Sequence, residues 1–507
     1  MLSTADLFPK LKTGIEGLDH IGEGGLPMGR TTLVAGTAGS AKTVLAAQFL
    51  VGGIMQSGES GVFVTFEESP EDIRTNMSNL GWPIARWEEE GKWAFVDASP
   101  QPQESIVVGA YDLGALIARI ENAIHRVKAK RVSVDSVGAV FSRFPDAGAV
   151  RWELFRLSAA LKELKVTSVM TSERTAEYGS ISRHGIEEFV ADNVVVLRNS
   201  MDEGKRRRTV EILKFRGARH QKGEYAFTVN PESGIVVIPL SAIQLKQRSS
   251  NVRIHSGNLD LDGMCGGGFF RDSIILVTGA TGCGKTLTTT EFIRGGYERK
   301  ERSLLFAFEE SRDQLFRNAD GWGVDCDKMV AEGMLRVECV YPEACGLEDH
   351  LIEIKRAIDE FRPDRVAIDS LSALERVSNL KGFREFVVSL TSFIKAKEVA
   401  GLFTATTQTL MGGGSATEAH ISSITDSIIL LRYVEMFGEM RRGITVLKMR
   451  GSMHDKNIRE FTIDGHGMHI GKPFRTVTGI ISGFPHQILT REQSRLGLLF
   501  QGEEEGS

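Results

Sequence analysis

The chain has 507 residues, of which 41% are hydrophobic and 25% charged, a composition typical of a folded globular protein rather than a disordered one. A formal net charge of −5 gives no bulk electrostatic attraction for nucleic acid, so a nucleic-acid-binding protein is not expected. No run approaches the about 18 apolar residues that a membrane span needs. The start carries no secretory signal, and the five cysteines form no C-x-x-C pair. These features predict reduced thiols, no zinc site and a cytoplasmic location.

Four motifs occur twice in the same order, which is the pattern of duplicated domains. The first copies are RTTLVAGTAGSAKT (30–43), GVFVTFEES (61–69), RVSVDSVGAV (131–140) and ILKFRGARHQK (212–222). The second copies are DSIILVTGATGCGKT (272–286), SLLFAFEES (303–311), RVAIDSLSAL (365–374) and VLKMRGSMHDK (446–456). We predict an N-terminal domain at 1–240, a linker at 241–257, a C-terminal domain at 258–485 and a tail at 486–507.

Along each half, short β-branched runs alternate with segments of helical period. In the first half, 30–36 and 61–68 are predicted strands, and 43–58 and 69–82 are predicted helices. The second of these helices has a serine cap and a proline at its first position. The alternation predicts an α/β fold in which each half is a mostly parallel sheet flanked by helices.

Residues 279–286, GATGCGKT, fit the phosphate-loop (P-loop) pattern G-x-x-x-x-G-K-[ST] between a predicted strand and a predicted helix. The glycines let backbone N–H groups turn towards phosphate, Lys285 supplies positive charge to the β and γ phosphates, and Thr286 offers its hydroxyl to Mg²⁺. This context predicts a nucleotide site. Its ATP-binding residues are Thr281, Gly282, Cys283, Gly284, Lys285, Thr286 and Leu287.

Residues 36–43, GTAGSAKT, depart from the pattern because Ala41 stands in place of the second glycine. A methyl group is tolerated there if the local φ is negative and is costly if φ must be positive. We expect nucleotide binding with altered turnover at this first site. Its ATP-binding residues are Gly39, Ser40, Ala41, Lys42, Thr43 and Val44.

Two aspartates, Asp135 and Asp369, each end an apolar strand downstream of a P-loop and precede a serine. A carboxylate in this place can order Mg²⁺ through water, together with the hydroxyls of Thr43 and Thr286. The alternative is an ordinary turn residue at a strand end. Recurrence in both halves favours the metal.

Glutamate pairs, Glu67-Glu68 and Glu309-Glu310, close the strand after each P-loop helix. Adjacent strand residues point to opposite faces, so at most one of each pair can face the γ phosphate. That carboxylate can polarise an attacking water or hydroxyl, and Glu309 is also a candidate to face the metal. The alternative role is an N-terminal cap on the next helix, and each pair can serve both.

The motif K-x-R-G-x-x-H-x-K also recurs, as Lys214, Arg216 and His220 and again as Lys448, Arg450 and His454. On a strand, a lysine and an arginine two residues apart share one face and form a positive clamp. Such a clamp can stabilise transition-state charge on a phosphate held by a neighbouring subunit. The alternative is a solvated basic edge strand.

Together with GLDHIGEGGLPMGR (17–30), MCGGGFFRDSIIL (264–276) and HISSITDSIILL (420–431), these motifs resemble the KaiC family of tandem RecA-like P-loop ATPases. The resemblance extends from about residue 10 to about residue 485. It implies two RecA-like NTPase domains in a homohexamer that binds ATP and Mg²⁺ between protomers. The first domain would be mainly an ATPase, and the second an autokinase and autophosphatase.

The resemblance also implies residue roles. Glu67 would activate the hydrolytic water and Glu309 would be the general base of the kinase half, with Glu68 and Glu310 beside them. The phosphoacceptors would be Ser422 and Ser423, with Thr417 holding phosphate transiently. The further ATP-binding residues are Asn79, Lys214, Phe215, Arg216, His220, Trp322, Arg442, Lys448, Met449, Arg450, Ser452 and His454. The ATP of the adjacent subunit would be contacted by Lys214, Phe215, Arg216, His220, Arg442, Lys448, Met449 and Arg450. Trp322 would lie beside the adenine.

Two departures from the family pattern affect regulation. Ser423 replaces the usual threonine, and the C-terminal tail diverges from the segment that binds the activator KaiA. A different order of phosphorylation and independence from KaiA are therefore open, as is binding of a KaiB-like partner. Two other functions also remain open: an ATP-dependent assembly scaffold without autokinase activity, and a DNA-handling recombinase or helicase, which the acidic pI does not support.

Overall fold

The computed structural model describes residues 8–99, 113–141, 147–182, 187–202, 204–239, 249–407, 421–436, 438–475, 477–478, 480 and 486–487. The chain divides into two compact units, residues 1–242 and 243–507. The finer division into a linker and a tail stays a prediction.

The first unit alternates strands and helices as expected. Its strands are β1 (Lys10–Leu11), β2 (Leu26–Pro27), β3 (Thr31–Gly36), β4 (Gly61–Thr65), β5 (Trp93–Asp97), β6 (Arg131–Asp135), β7 (Thr167–Glu173), β8 (Asn193–Asp202), β9 (Lys205–Phe215), β10 (Glu224–Asn230) and β11 (Gly234–Val237). Its helices are α1 (Leu18–Ile21), α2 (Lys42–Gly52), α3 (Pro70–Ser78), α4 (Ile84–Glu89), α5 (Leu113–Val127), α6 (Val137–Phe141), α7 (Ala147–Glu163) and α8 (Glu187–Val190). A π-helical turn, Gly53–Ser57, extends α2.

The second unit repeats this order. Its strands are β12 (Arg253–Ile254), β13 (Phe269–Phe270), β14 (Ile274–Gly279), β15 (Ser303–Ala307), β16 (Leu335–Cys339), β17 (Arg365–Asp369), β18 (Ala400–Thr406), β19 (Ser427–Met436), β20 (Glu439–Met449), β21 (Arg459–Asp464), β22 (Gly467–Pro473), β23 (Val477–Thr478) and β24 (His486–Gln487). Its helices are α9 (Leu259–Met264), α10 (Lys285–Tyr297), α11 (Arg312–Asp320), α12 (Cys326–Ala331), α13 (Leu347–Phe361), α14 (Leu371–Glu375) and α15 (Leu380–Ala396), with a 3₁₀ turn at Pro342–Ala344.

Both units build the same main sheet of nine strands from the described residues. The order is β11-β10-β9-β8-β3-β7-β6-β4-β5 in the first unit, and β22-β21-β20-β19-β14-β18-β17-β15-β16 in the second. The strands from β8 to β5, and from β19 to β16, pair in parallel, whereas the three pairings at the other edge are antiparallel. The predicted fold of two mostly parallel, helix-flanked sheets is confirmed.

The sheet of the first unit is buried on both faces. Phe63 of β4 belongs to the core cluster that includes Phe49 of α2, whereas its neighbours Val62 and Val64 belong to the cluster beneath α5 and α7. Successive strand residues point to opposite faces, so helices must cover both sides of the sheet. Burial on both faces explains why a strand such as β4, Gly-Val-Phe-Val-Thr, is almost continuously apolar.

The P-loop strands β3 and β14 lie in the interior of their sheets, between two parallel neighbours. Parallel strands end at one edge, where the carboxyl ends of β4, β6 and β7 in the first unit, and of β15, β17 and β18 in the second, meet the P-loop. This is the edge at which open α/β sheets bind ligands. The fold therefore gathers the P-loops, the two aspartates and the glutamate pairs at this edge, whereas the K-x-R-G segments lie at the opposite, amino ends of β8 and β19.

Candidate functional site

The P-loop of the second unit connects the C-terminal end of β14 to the N-terminus of α10. Gly284 there has φ 110°, a conformation that favours glycine. The ammonium of the buried Lys285 folds back onto the loop and donates to the carbonyls of Gly279 (2.9 Å) and Ala280 (3.0 Å). The charge predicted to meet phosphate is thus held inside the loop.

The other residues of this loop divide between its tip and the core beneath it. Thr281 and Gly282 are exposed, whereas Cys283 and Leu287 are buried in the hydrophobic cluster of the second unit. Burial raises the pKa of the Cys283 thiol, so it packs as a neutral side chain.

The P-loop of the first unit has the same course from β3 to α2, and Lys42 donates to the carbonyl of Thr37 at 2.9 Å. The Ser40 hydroxyl bonds to the same carbonyl at 2.7 Å, and Gly39 has φ 72°. Ala41 has φ 66° and ψ 31°, which is the left-handed region. Of the two cases that the sequence left open, this is the costly one.

The aspartate of the second unit joins the P-loop helix to a neighbouring strand. Asp369, at the end of β17, accepts hydrogen bonds from the hydroxyl of Thr286 at 2.8 Å and from the hydroxyl of Thr404 on β18. Burial raises the pKa of Asp369, and the two hydroxyls act against that rise. A carboxylate and a hydroxyl in contact are hard oxygen ligands of the kind that Mg²⁺ prefers.

The first unit repeats this group. Asp135, at the end of β6, accepts hydrogen bonds from the hydroxyls of Thr43 and of Thr171 on β7. Burial again raises the pKa of Asp135. The backbone N–H of Phe66 donates to the carbonyl of Asp135 at 2.9 Å, which continues the β4 ladder one residue past the strand end. Val44, the third residue of α2, packs against the core.

The first glutamate of each pair faces the aspartate strand. Glu67 accepts from the hydroxyl of Ser136 at 3.3 Å, and Glu309 accepts from that of Ser370 at 3.1 Å. Glu309 also forms an ion pair with Arg376 at 3.1 Å. These carboxylates lie in the bend after β4 and β15, rather than within the strands as the sequence had predicted.

The second glutamate of each pair faces the next helix. Glu68 accepts from the amide of Asn76 on α3 at 3.1 Å, and Glu310 accepts from that of Asn318 on α11 at 3.3 Å. Burial raises the pKa of both carboxyls. The N-caps themselves are the serines that follow each pair. The serine cap predicted for the first of these helices is therefore confirmed, and the capping role considered for the glutamates is wrong.

The first site carries an additional carboxylate. Glu173 ends β7 beside Gly36, whereas Thr406 occupies the equivalent position of β18. Burial raises the pKa of Glu67 and the negative charge of Glu173 raises it further. Burial also lowers the pKa of Lys42. The surrounding carboxylates act in the opposite direction, and Glu173 has the largest effect among them. The two sites therefore differ in charge at matched positions.

The K-x-R segment of the second unit contacts the turn that carries the two serines. Lys448 donates from Nζ to the carbonyls of Ser422 (2.6 Å) and Thr425 (2.7 Å). Arg450 donates to the carbonyl of Ser423 at 2.8 Å. Ser422 is half-buried and Ser423 exposed, in a turn that precedes β19. Thr417, the third predicted acceptor, lies outside the described residues.

The first unit has the same contacts without the serines. Lys214 donates to the carbonyls of Glu188 (3.1 Å) and Ala191 (2.9 Å), and Arg216 lies 3.7 Å from the carboxylate of Asp192. In both units the strand ends before the arginine, which lies in the following turn. The predicted strand position of the arginine is therefore wrong, because β9 and β20 end one residue before it, although Lys448 and Arg450 still contact the same turn.

The remaining residues of the K-x-R-G segments fall into two groups. Phe215 and Met449 are buried, and the ring of His220 meets that of Phe215 edge-on with centroids 5.3 Å apart. Ser452 accepts a hydrogen bond from Arg253 at 2.6 Å, and His454 is half-buried. His220 is thereby packed against the end of β9, and Ser452 is tied to β12.

Three other predicted ATP-binding residues, of which Trp322 was expected beside the adenine, are placed differently from one another. Asn79 is exposed just after α3, and Trp322, which lies one residue past the equivalent end of α11, packs against the core cluster that contains Cys283. The guanidinium of Arg442 lies 5.8 Å from the ring centroid of Tyr433, close enough to Cys283 to lower that thiol's pKa slightly against the effect of burial. Arg442 therefore lies beside the P-loop of its own chain.

Several residues near the sites were missed by sequence reasoning. Arg376 pairs with Glu309, and Arg208 donates to the carbonyl of Gly39 in the first P-loop at 3.1 Å. The threonines of β7 and β18 that hold the two aspartates were missed as well. A residue-by-residue comparison of the two halves would have found the threonines, since both stand at the same place in equivalent strands. Nothing in the sequence marks Arg376.

No helix in the part of the chain that the structure describes is long and apolar enough to cross a membrane. A protein-family model for the KaiC ATPases matches residues 11–242 and 254–474. Over 496 residues, the chain is 66% identical to the circadian clock protein KaiC3 of Synechocystis sp., covering 98% of each chain. It is 55% and 54% identical to the circadian clock oscillator proteins KaiC of Thermostichus vulcanus and Synechococcus elongatus, covering 98% of this chain and 95% of each relative. The duplicated P-loop units and these matches together show that the chain belongs to the KaiC family of ATPases.

Proposed function

We propose that the protein is an ATP-hydrolysing serine autokinase and autophosphatase whose phosphorylation state is its output. The first unit is mainly an ATPase, and the second transfers the γ-phosphoryl group of ATP to Ser422 and Ser423. In this step Glu309 takes the hydroxyl proton, the serine oxygen bonds to the γ-phosphorus, and the bond to the β-phosphate oxygen breaks to release ADP.

One difference between the units carries this assignment. The clamp lysine of the second unit contacts a turn that bears two serine hydroxyls, whereas the equivalent lysine of the first unit contacts the turn at Glu188 and Ala191. The same scaffold therefore presents acceptor hydroxyls in one unit only. Glu309 with its arginine partner, Arg376, supplies the carboxylate needed near the γ phosphate.

ATP and Mg²⁺ fit the residues at both sheet edges. The N-termini of α2 and α10 present backbone N–H groups to phosphate, and Lys42 and Lys285 add charge. The described residues contain no group of three or more His, Cys, Asp or Glu side chains that could hold a metal ion. The paired threonine and aspartate of each site would thus hold Mg²⁺ together with water and nucleotide oxygens, as is usual for this ion.

The cellular role is a circadian clock or timing component, in keeping with the names of the relatives. The active form would be a homohexamer with ATP between protomers, which lets Lys214, Arg216, Lys448 and Arg450 act on a neighbour's nucleotide. A KaiB-like partner binds the first unit. The tail diverges from the segment that binds KaiA, which counts against activation by KaiA.

The test is intact-mass spectrometry with peptide mapping after incubation with Mg·ATP, on the wild type and on Ser422→Ala/Ser423→Ala. We expect phosphate on the peptide that spans 418–431 in the wild type and none there in the double variant. Glu309→Gln should abolish the phosphate, whereas the matched Glu67→Gln should slow hydrolysis and leave phosphorylation in place.

An unmodified protein that still hydrolyses ATP would refute the autokinase and leave the assembly scaffold as the function. A recombinase or helicase would instead show DNA affinity that falls steeply as salt rises. The net charge of −5 gives that function no support.

A further inference from the structure

The turn at residues 422–426, here called the acceptor turn, is held by cations of its own chain. The ammonium of Lys448 bridges the carbonyls of Ser422 and Thr425, and Arg450 donates to the carbonyl of Ser423 at 2.8 Å. Hydrogen bonds from charged donors are shorter and about twice as strong as neutral ones. Three carbonyls of one short turn are therefore fixed by two side chains.

The end of the acceptor turn, Asp426, has further partners. Asp426 accepts from the backbone N–H of Ile274 at 2.9 Å and forms an ion pair with Lys395 at 2.7 Å. The N–H of Asp426 donates to the carbonyl of Ile274, and its own carbonyl accepts from the N–H of Arg450, each at 2.9 Å. Ile274 begins β14, the strand that leads into the P-loop. The acceptor turn is thus connected to the start of this strand, at the end away from the P-loop.

A β-bulge directs the lysine towards the turn. The pairing of β19 with β20 shifts register between Ile428 and Ile429, so that Leu447 is the extra residue immediately before Lys448. The first unit has the same shift between Val194 and Val195, just before its own lysine. A bulge bends the strand and re-aims the side chains next to it, so this orientation is built into both units.

We propose that Lys448 and Arg450 are positioning residues that hold the acceptor turn within their own chain and thereby set the division of phosphate between Ser422 and Ser423. This role rests on the proposed autokinase and is separate from any contact with a neighbour's nucleotide. Lys448 holds the carbonyls of Ser422 and Thr425, whereas Arg450 holds the carbonyl of Ser423 and pairs with Asp426 at 3.6 Å, so that Ser423 is the one serine of the pair that the arginine contacts. Losing the arginine therefore loosens one acceptor more than the other.

The first measurement is hydrogen–deuterium exchange of the full chain, with and without Mg·ATP. Lys448→Met should raise exchange of the amides at 421–427 by about tenfold, the effect of losing charged hydrogen bonds. The matched Lys214→Met should raise amide exchange at 188–193 and leave amide exchange at 421–427 unchanged. The effect should persist without nucleotide, because the contacts lie within one chain. An effect of Lys448→Met that appears only with ATP would overturn the proposal.

The second measurement is the ratio of phosphate on Ser423 to that on Ser422, mapped by mass spectrometry in wild type, Arg450→Gln and Arg450→Lys. We expect Arg450→Gln to lower the ratio at least about threefold and Arg450→Lys to restore part of it, since a cation still reaches the carbonyl. An unchanged ratio, even with slower phosphorylation, would refute the positioning role. Absence of phosphoserine in the wild type would refute the autokinase, and the exchange result would still decide whether the turn is held as proposed.

Discussion

Exchanging the P-loop residues Ala41→Gly and Gly284→Ala should affect the two units unequally. Ala41 has φ 66° and ψ 31°, inside the small left-handed well that L-residues can occupy. Gly284 has φ 110° and ψ 18°, outside that well. Equivalent positions in one motif therefore tolerate a methyl group to different degrees.

The magnitudes follow from this geometry. Alanine in the left-handed conformation costs about 1–2 kcal/mol, which glycine would relieve. Glycine also makes the unfolded chain more flexible, which lowers the free energy of unfolding by about 0.4–1 kcal/mol. In addition, the contact of the Ala41 methyl group with the core is lost. Ala41→Gly should thus change the free energy of unfolding by less than about 1 kcal/mol. A side chain forced to the φ of Gly284 costs about 1–3 kcal/mol, and its Cβ would lie 3.2 Å from Cδ1 of Ile463. Gly284→Ala should therefore destabilise the second unit by about 2 kcal/mol.

Amide hydrogen exchange of α2 and α10 as a function of urea measures each unit within the intact chain. The helix of the unmutated unit is the internal control in each variant. Strain at a fixed φ should cost more than about 0.5 kcal/mol. If Gly284→Ala lowered the free energy of unfolding by less than that, the second P-loop would be able to adopt the conformation of the first. If Ala41→Gly raised the free energy of unfolding by more than about 2 kcal/mol, the left-handed conformation would cost alanine more there than we infer.

Three further changes test individual side chains. Glu173→Gln removes a negative charge that raises the pKa of Glu67. Because Glu67 must be ionised to act as a base, the acidic limb of the pH–rate profile for ATP hydrolysis by the first unit should move to lower pH. Arg365→Ala breaks a buried ion pair and should lower the free energy of unfolding of the second unit by about 3–5 kcal/mol in urea-dependent hydrogen exchange. Thr404→Val removes a hydroxyl that holds Asp369, so the Mg²⁺ concentration for half-maximal phosphorylation should rise by about tenfold.

Each of these has a matched control. The exposed Glu89→Gln should leave the pH profile in place, and a profile that does not move with Glu173→Gln would contradict the charge argument. Arg131→Ala breaks the equivalent pair of the first unit, so it should destabilise that unit alone. Thr404→Ser keeps the hydroxyl and should retain the Mg²⁺ dependence. Equal behaviour of the serine and valine variants would contradict the role of the hydrogen bond.

Repeats, P-loops and strand–helix alternation could be predicted from the sequence because they depend on local spacing. The serine cap of α3 is one example, since Ser69 and Pro70 act on the first turn of their own helix. The parallel sheet followed from the alternation of elements. Both phosphoacceptor serines and the clamp lysine Lys448 were selected from motif and resemblance, and the structure brings them together at one turn, although their roles stay predictions.

The direction and partners of each side chain were decided by tertiary structure. The sequence allowed either sign of φ at Ala41, either member of each glutamate pair at the nucleotide, and a strand position for Arg450. The structure gives a positive φ, directs Glu67 and Glu309 towards the aspartate strands, and ends β20 before the arginine. These outcomes depend on hydrogen bonds and register between strands far apart in the chain, where a single bulge residue changes which side chain meets which turn. Local sequence patterns specify the elements, and only the long-range pairing of those elements specifies their contacts.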